Sequence, residues 1–421
     1  MAADGAFAFR RMRILATQET DWISRNPIVH HRLLEWLSTH GADVTVIDYD
    51  IDWPAKAGPL RQRRHEFAGI HKYFADSRIR LIRPGMIRIG LIARLSWLFG
   101  NWRELRTIFR KAKPDVVVAY GISNALVTLA ASRAAGRPFV YHVMDALHTH
   151  AESFPVRAIA RFIESLTMRR ADRVVVVSHG LARYAAGMGA PPDRLTVIPI
   201  GVRRIDADPE AGARARARLG VGEGEVLLLF VGWQYVFSGL RELVTAFARR
   251  GAEVPWLRLA IVGRGDLYDE LQRIRAASGL ERQIVMTGQL PVDEVGALIE
   301  AADFGLLPAY RNETMEHLVP TKVVEYMEHG KAVIATRLPG LEAEFPSLPG
   351  ILYIDRPESA IDLVRSLAET EDPTAIRAIA RRLGETCREA IQQRDDWETV
   401  TANFVSLLRA EAEKKAGRVK S

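Results

Sequence analysis

The segment ADFGLLPAYRNETMEHLVPTKVVEYMEHGKAVIATRLPG, residues 302–340, runs through a strand, a polar loop, a helix and a second strand. Phe304 to Leu307 reads as a short apolar strand, and Ala332 to Thr336 as the second. Pro320 suits the first helical turn, where its missing N–H would have no partner. Gly330 suits the helix end, where a left-handed residue is wanted. A loop and a helix N-terminus following a strand are where α/β sheets bind ligands. Backbone N–H groups and the positive end of the helix dipole favour phosphates there. Glu325 falls within the first two turns, within reach of a sugar hydroxyl beside those phosphates.

The same alternation extends in both directions. Downstream of residue 200 the strands are Val226 to Val231, Leu257 to Gly265 and Ile284 to Leu290, with helices Arg241 to Arg249 and Val292 to Ala302. Upstream, strands are expected at Met12 to Ala16, Asp43 to Ile47, Asp115 to Tyr120, Phe139 to Met144 and Arg173 to Ser178. Helices at Ile28 to His40, Asn124 to Ala135 and Arg157 to Arg170 separate them. Such a pattern predicts Rossmann-like domains. The first strand–helix turn, TQETDWISRNP, has no glycine, which argues against an NAD or FAD enzyme. A long helix, Trp397 to Lys415, closes the pattern.

Length and composition set the outer bounds. With 421 residues, and roughly 100–200 per domain, two domains are expected. A hydrophobic content of 48% is enough for a core in each. Cys387 is the only cysteine, which leaves no disulfide framework and fits a reducing cytosol. Phe9-Arg10-Arg11 leads directly into a strand-like run, so no secretory leader is expected. No apolar run reaches the ~20 residues of a membrane-spanning helix.

Charge is unevenly placed. Residues 1–200 hold 29 Lys and Arg against 17 Asp and Glu, whereas residues 201–421 hold 29 against 34. The basic half should meet something anionic. Residues 61–113 concentrate this, with fourteen Lys and Arg and three acids interleaved with apolar side chains. From Met86 to Phe99 a long apolar face carries Arg88 and Arg94, with Trp97 and Trp102 nearby. Such a stretch suits contact with an anionic membrane; the alternative is a core helix whose arginine stems cover apolar surface. No nucleic-acid module is recognisable, so no nucleic-acid partner is expected. Asp48, Asp50 and Asp52 alternate after the second strand and read as a solvated strand end, with a metal site as the rival.

The run Pro320 to Thr336, PTKVVEYMEHGKAVIAT, resembles the P-x-K-x-x-E-Y-M-x-x-G-K-P-V-V-A-T segment of the retaining glycosyltransferases of family 4. The resemblance continues in ADRVVVVSHGLARY and RLTVIPIGV, near the end of that family's first domain. It implies an α/β protein of GT-B fold, two Rossmann-like domains facing a cleft. The expected division is 1–205 for the acceptor, 206–392 for the donor nucleotide, and 393–421 as a helix crossing back to the first domain. The implied reaction moves a hexose from a nucleoside diphosphate sugar to a polysaccharide, glycan or lipid-linked acceptor, with retention, no metal and no cofactor. The implied place is the cytoplasm, with residues 61–113 touching the inner face of the membrane.

The resemblance also implies site residues. Glu325 would bind the ribose, Arg264 and Lys322 the phosphates, and Gly288 and Gln289 the base. Gly232, Pro320 and Thr321 would line the donor site, and Glu316 and His317 would meet the sugar. His142, Asp145 and His148 would lie at the first domain's strand ends; a His–Asp–His metal site is the rival reading for this group.

Three departures stand out. His317 occupies a position where the family often has Glu, although Glu313 and Glu316 are close by. Trp233 and Ser238 stand where the family commonly has the Arg and Lys that neutralise the diphosphate. The cations available instead are Arg264, Lys322, Arg311 and Arg241. These departures motivate one alternative, a catalytically silent subunit that scaffolds a partner enzyme; the other alternative is a sugar-nucleotide epimerase of the same fold, for which no clear acid/base carboxylate pair is visible.

Overall fold

The computed structural model describes residues 12–24, 28–51, 53–55, 58–151, 153–313, 315–368 and 371–418. Asp52, Phe9 to Arg11 and the end of the first loop at 25–27 lie outside the described residues. The chain divides into two compact units, residues 1–200 with 398–421, and residues 201–397.

The first unit is built on strands β1 (Arg13–Thr17), β2 (Asp43–Ile47), β3 (Arg61–Gln62), β4 (His65–Phe67), β5 (Arg80–Arg83), β6 (Met86–Ile87), β7 (Val116–Ala119), β8 (Phe139–Val143), β9 (Arg173–Val176) and β10 (Leu195–Val197). Eight of them form one sheet in the order β10-β9-β8-β7-β1-β2-β5-β4, while β3 and β6 pair separately. All pairs in the large sheet are parallel except β4 with β5. Runs such as Val116-Val117-Val118-Ala119 are buried throughout, as strands covered on both faces require. Each fully buried aliphatic side chain contributes roughly 1.5–3 kcal/mol, enough to outweigh weak local preferences. Strand order reverses between β1 and β7, which opens a crevice at their carboxyl ends.

Helices Val29–Thr39, Gly90–Lys111, Ser123–Ala134, Phe154–Arg170 and His179–Gly187 make the crossovers. The basic region 61–113 therefore contains four short strands and a 22-residue helix that runs well past Phe99. The last helix, Trp397–Arg418, packs on this unit. Phe404 lies against His142 with ring centroids 5.3 Å apart, and Glu411 pairs with Arg173 at 2.7 Å.

Asp48 and Asp50 are not a solvated strand end. Both are buried, and each holds an arginine from the basic region: Asp48 pairs with Arg83 at 2.5 Å and Asp50 with Arg88 at 3.0 Å. Arg83 also reaches Asp21 at 2.7 Å. A buried carboxylate needs such a partner because desolvation otherwise makes it too costly.

The second unit carries β11 (Val226–Val231), β12 (Leu257–Val262), β13 (Ile284–Gly288), β14 (Phe304–Leu307), β15 (Ala332–Thr336) and β16 (Ile351–Ile354). They form one parallel sheet in the order β13-β12-β11-β14-β15-β16, with its reversal between β11 and β14. A separate apolar cluster fills each face of the sheet. The helix after β14 spans Thr321–Glu328, with Pro320 as its N-cap in extended conformation. Gly330 follows at φ 62°, and the N–H groups of Gly330 and Lys331 bond back to Met327 and Tyr326. A left-handed glycine closes the helix in this way because it has no Cβ to clash. Gly340, Glu342 and Glu344 belong to the short helix Pro339–Glu344, where the two acids pair with Arg337 at 2.9 Å and Arg394 at 2.8 Å.

Candidate functional site

In the second unit the turns after β11, β12 and β13 meet at the sheet's carboxyl edge. Gly232 N–H donates to the Val262 carbonyl at 2.9 Å, and Gly263 N–H to the Gly288 carbonyl at 2.8 Å. Gly263 sits at φ 120°, and a Cβ there would overlap the Gly232 carbonyl oxygen. Gly232 sits at φ 123°, and a Cβ there would lie 3.2 Å from the Lys322 ammonium. Both positions therefore need glycine for conformation, and Gly263 needs it for space as well. Gln234 secures the arrangement: its buried amide donates to the Gly263 carbonyl at 2.9 Å, and its backbone bonds to Arg264 and Leu267.

Two cations stand over these turns. Lys322, in the first turn of helix Thr321–Glu328, holds its ammonium 3.7 Å from the centre of the Phe230 ring. Burial pushes its pKa down to about 7, against the opposing pull of Glu325. Arg264 lies over the Tyr268 ring at 4.6 Å, and a Cβ on Gly288 would be 3.7 Å from its Nε. Neither cation has an ion pair among the described residues, and Glu325, half-buried one turn along from Lys322, has none either. The other two cations are committed elsewhere: Arg241 to Glu270 at 2.5 Å and Arg311 to Glu316 at 3.3 Å. Pro320 and Thr321 open the helix, and Gln289 is exposed beside Gly288. His317 is half-buried, and the His317–Leu318 backbone packs on Gly340.

Trp233 is 49% exposed and donates its indole N–H to Asp266 at 3.2 Å. Ser238 is buried, and its hydroxyl has no hydrogen-bond partner among the described residues. Neither presents a charge to the turns, so the positive field there comes from Arg264, Lys322 and the helix N-terminus.

The first unit's candidates go to three separate environments. His142 is buried between Tyr120 and Phe404, and burial pushes its pKa down to about 3, so its imidazole is neutral. Asp145 accepts from His150 at 2.9 Å, and this bond raises the His150 pKa. His148 is buried with Nδ1 3.0 Å from Glu164 and 2.9 Å from the Tyr184 hydroxyl, which itself donates to Glu164 at 2.8 Å. Among the described residues no group of three His, Cys, Asp or Glu could hold a metal ion.

Several contributors were hidden in the sequence. Phe230 reads only as one more apolar strand residue, and Gln234 and Tyr268 as loop and helix polarity. Glu164 and Tyr184 lie 16 and 36 residues from His148 and carry no local signal. The Gly263-Arg264-Gly265 turn, by contrast, shows in the sequence as a Gly-x-Gly pattern at a strand end.

Comparison with known proteins adds the following. Residues 28–201 match the glycosyl transferase 4-like domain and residues 225–370 the glycosyl transferases group 1. The chain is 30% identical over 187 residues to a GDP-mannose-dependent alpha-(1-6)-phosphatidylinositol monomannoside mannosyltransferase of Mycolicibacterium smegmatis, 44% of this chain and 47% of that one. That match thus spans about half of the relative. A 2-deoxystreptamine glucosyltransferase of Streptomyces kanamyceticus is 26% identical over 352 residues, 75% of this chain and 86% of that one. Anabaena HepE in complex with UDP-glucose superposes with a TM-score of 0.69 at 18% identity, covering 95% of this chain and 100% of that one. Sucrose-phosphate synthase of Thermosynechococcus elongatus gives 0.70 at 18%, covering 95% and 99%. At these identities the two structures speak for the fold.

Proposed function

For a chain that belongs to the group 1 glycosyltransferases of GT-B fold, we propose transfer of a hexose from a nucleoside diphosphate sugar to a glycan or lipid-linked acceptor, with retention at the anomeric carbon. The observation that carries this reading is the pair of cations without ion pairs, Arg264 and Lys322, over three touching glycine turns with Glu325 alongside.

A diphosphate placed there would meet two positive side chains and a helix N-terminus. Lys322 takes a proton as the anion arrives, because the nearby negative charge offsets the burial that lowers its pKa. Glu325 accepts from the ribose hydroxyls, Gly288 and Gln289 meet the base, and Glu316 and His317 lie toward the sugar. The bond between the anomeric carbon and the β-phosphate oxygen breaks, and the diphosphate leaves with the electron pair. The acceptor oxygen bonds to the same face of that carbon and passes its proton to the departing oxygen. Charge grows on the diphosphate throughout, so fixed cations aimed at it lower the barrier more than a strong base would.

The relatives' names include GDP-mannose, and HepE was solved with UDP-glucose, so both bases are to be tried. Thermal-shift titration with UDP, GDP, ADP and their sugars tests the reading, with Glu325→Ala as the control. The expected result is a shift of several degrees by one nucleotide that the variant loses. Flat traces with all of them would instead favour a silent subunit.

A further inference from the structure

Helix Phe154–Arg170 is amphipathic in the inverted sense. Pro155, Ala158, Ile159 and Phe162 recur at helical spacing and all face outward, with Phe154 83%, Ile159 61% and Phe162 68% exposed. Glu164, Thr167 and Met168 are the buried residues of the same helix. Periodicity alone would assign that apolar stripe to the core. Helix Gly90–Lys111 repeats the arrangement in its first half, where Leu91, Leu95 and Phe99 are 76%, 59% and 64% exposed. Helix Ser123–Ala134 packs against both, so the three form one layer. The two outer helices each lead into a parallel strand of the same sheet, β7 and β9. They therefore run in the same direction, and their apolar halves lie at the same end.

The second halves are basic. Arg103, Arg106, Arg110 and Lys111 on one helix, and Arg161 and Arg170 on the other, have no ion pair among the described residues. The only acids on the two helices are Glu104, paired with Arg64, and the buried Glu164. By contrast, four arginines earlier in the basic region turn to carboxylates: Arg64 to Glu66, Arg83 to Asp48, Arg88 to Asp50, Arg94 to Glu19. Positive charge with no ion pair among the described residues thus lies beside the exposed apolar strip. No helix among the described residues is long and apolar enough to cross a membrane.

We propose that helices Gly90–Lys111 and Phe154–Arg170 together form a docking face for an anionic lipid bilayer, with Leu91, Leu95, Phe99, Phe154, Ile159 and Phe162 entering the interface and the adjoining cations meeting lipid phosphates. Apolar side chains flanked by basic ones are the composition that interfacial helices require. Each cation near an anionic leaflet strengthens attachment by about fivefold. A second copy of the chain is the poorer occupant, since a two-fold contact sets the same patch against itself and the cations against one another. The face goes beyond the transfer reaction and holds whether or not the donor site turns over.

Co-sedimentation of the full chain with vesicles tests this, using phosphatidylcholine alone and an equimolar mixture with phosphatidylglycerol. The expected result is binding to the mixed vesicles only, weakened by salt. Phe154→Asp with Phe162→Asp, and separately Leu91→Asp with Phe99→Asp, should each lose at least about tenfold in affinity. The triple variant Arg103→Gln, Arg106→Gln, Arg110→Gln should lose a similar amount while keeping the apolar face, so the test survives if an aspartate variant misfolds. Nucleotide-induced thermal shifts unchanged in all variants would separate this face from the donor site. Equal binding to both vesicle types, or none to either, overturns the proposal. So does a dimer in sedimentation velocity that Phe154→Asp with Phe162→Asp dissolves.

Discussion

At the carboxyl ends of the first unit's strands, charged groups satisfy one another. Arg83 bridges Asp21 and Asp48, Arg94 pairs with Glu19 at 2.6 Å, and His148 shares Glu164 with Tyr184. At the corresponding ends of the second unit, Arg264, Lys322 and Glu325 stand without an ion pair among the described residues. The two sheets have similar parallel topology and the same kind of strand reversal, so topology alone does not separate them. Saturation does. A buried charge that already has its partner is part of the scaffold, because removing either member strands the other. A cation with no ion pair that lies over an aromatic ring, as exposed Arg264 and half-buried Lys322 do, is available to an anion from solution.

The largest effect should come from breaking the saturated side. Arg83→Met leaves Asp48 buried without its guanidinium partner, at a cost of about 3–5 kcal/mol in stability. Chemical denaturation should show that loss, with nucleotide affinity kept wherever the variant is folded. An unchanged stability would remove the contrast between the two sites.

Lys322→Met should act in the opposite way. Activity should fall on the order of 10²–10³ in kcat, as when one donor to a developing oxyanion is removed, while the fold is kept. Its pH dependence sharpens the point. In the free protein the ammonium is protonated below about pH 7. Affinity for the nucleoside sugar should therefore be full below pH 7 and decline above it, and Lys322→Met should flatten that slope. The sign for folding follows from the same shift. Between pH 7 and the lysine's ordinary value of 10.5 the unfolded chain holds a proton the folded one lacks, so stability from this group rises with pH. A donor affinity that rises above pH 7 would contradict the role given to Lys322.

The smallest effect belongs to Trp233. Its indole carries no charge and donates to Asp266 across an exposed surface. Trp233→Ala should change donor affinity by about threefold or less, within the range of an exposed side chain. A loss as large as that of Lys322→Met would show that the indole has taken over part of the diphosphate grip.

Much of the fold was legible. Val226–Val231, Phe304–Leu307, Ala332–Thr336 and Asp43–Ile47 are strands over the residues their composition marks. Fully buried parallel strands must be apolar on both faces, which makes them continuous in sequence. Helix ends near Pro320 and Gly330 were legible because proline and glycine act on their own backbone. The short strands of 61–87 were not, since two to four residues carry too little pattern to stand out. Of the donor-side residues, Gly232, Arg264, Gly288, Lys322 and Glu325 come together, because glycine turns and a helix start are local signals. Phe230 and Gln234 were missed as parts of the site, because each acts by contact with a turn or side chain from another element.

Composition and local order thus determined the two parallel sheets, the glycine turns and the helix that offers its N-terminus and Lys322. Only the tertiary structure decided which charges remain free. Arg83 finds Asp48 35 residues away and Arg173 finds Glu411 at a separation of 238, distances at which no periodicity or motif can report a partner. The apolar stripe of helix Phe154–Arg170 makes the same point. A helix records that it has two faces, but which face meets the sheet depends on the neighbours that pack against it.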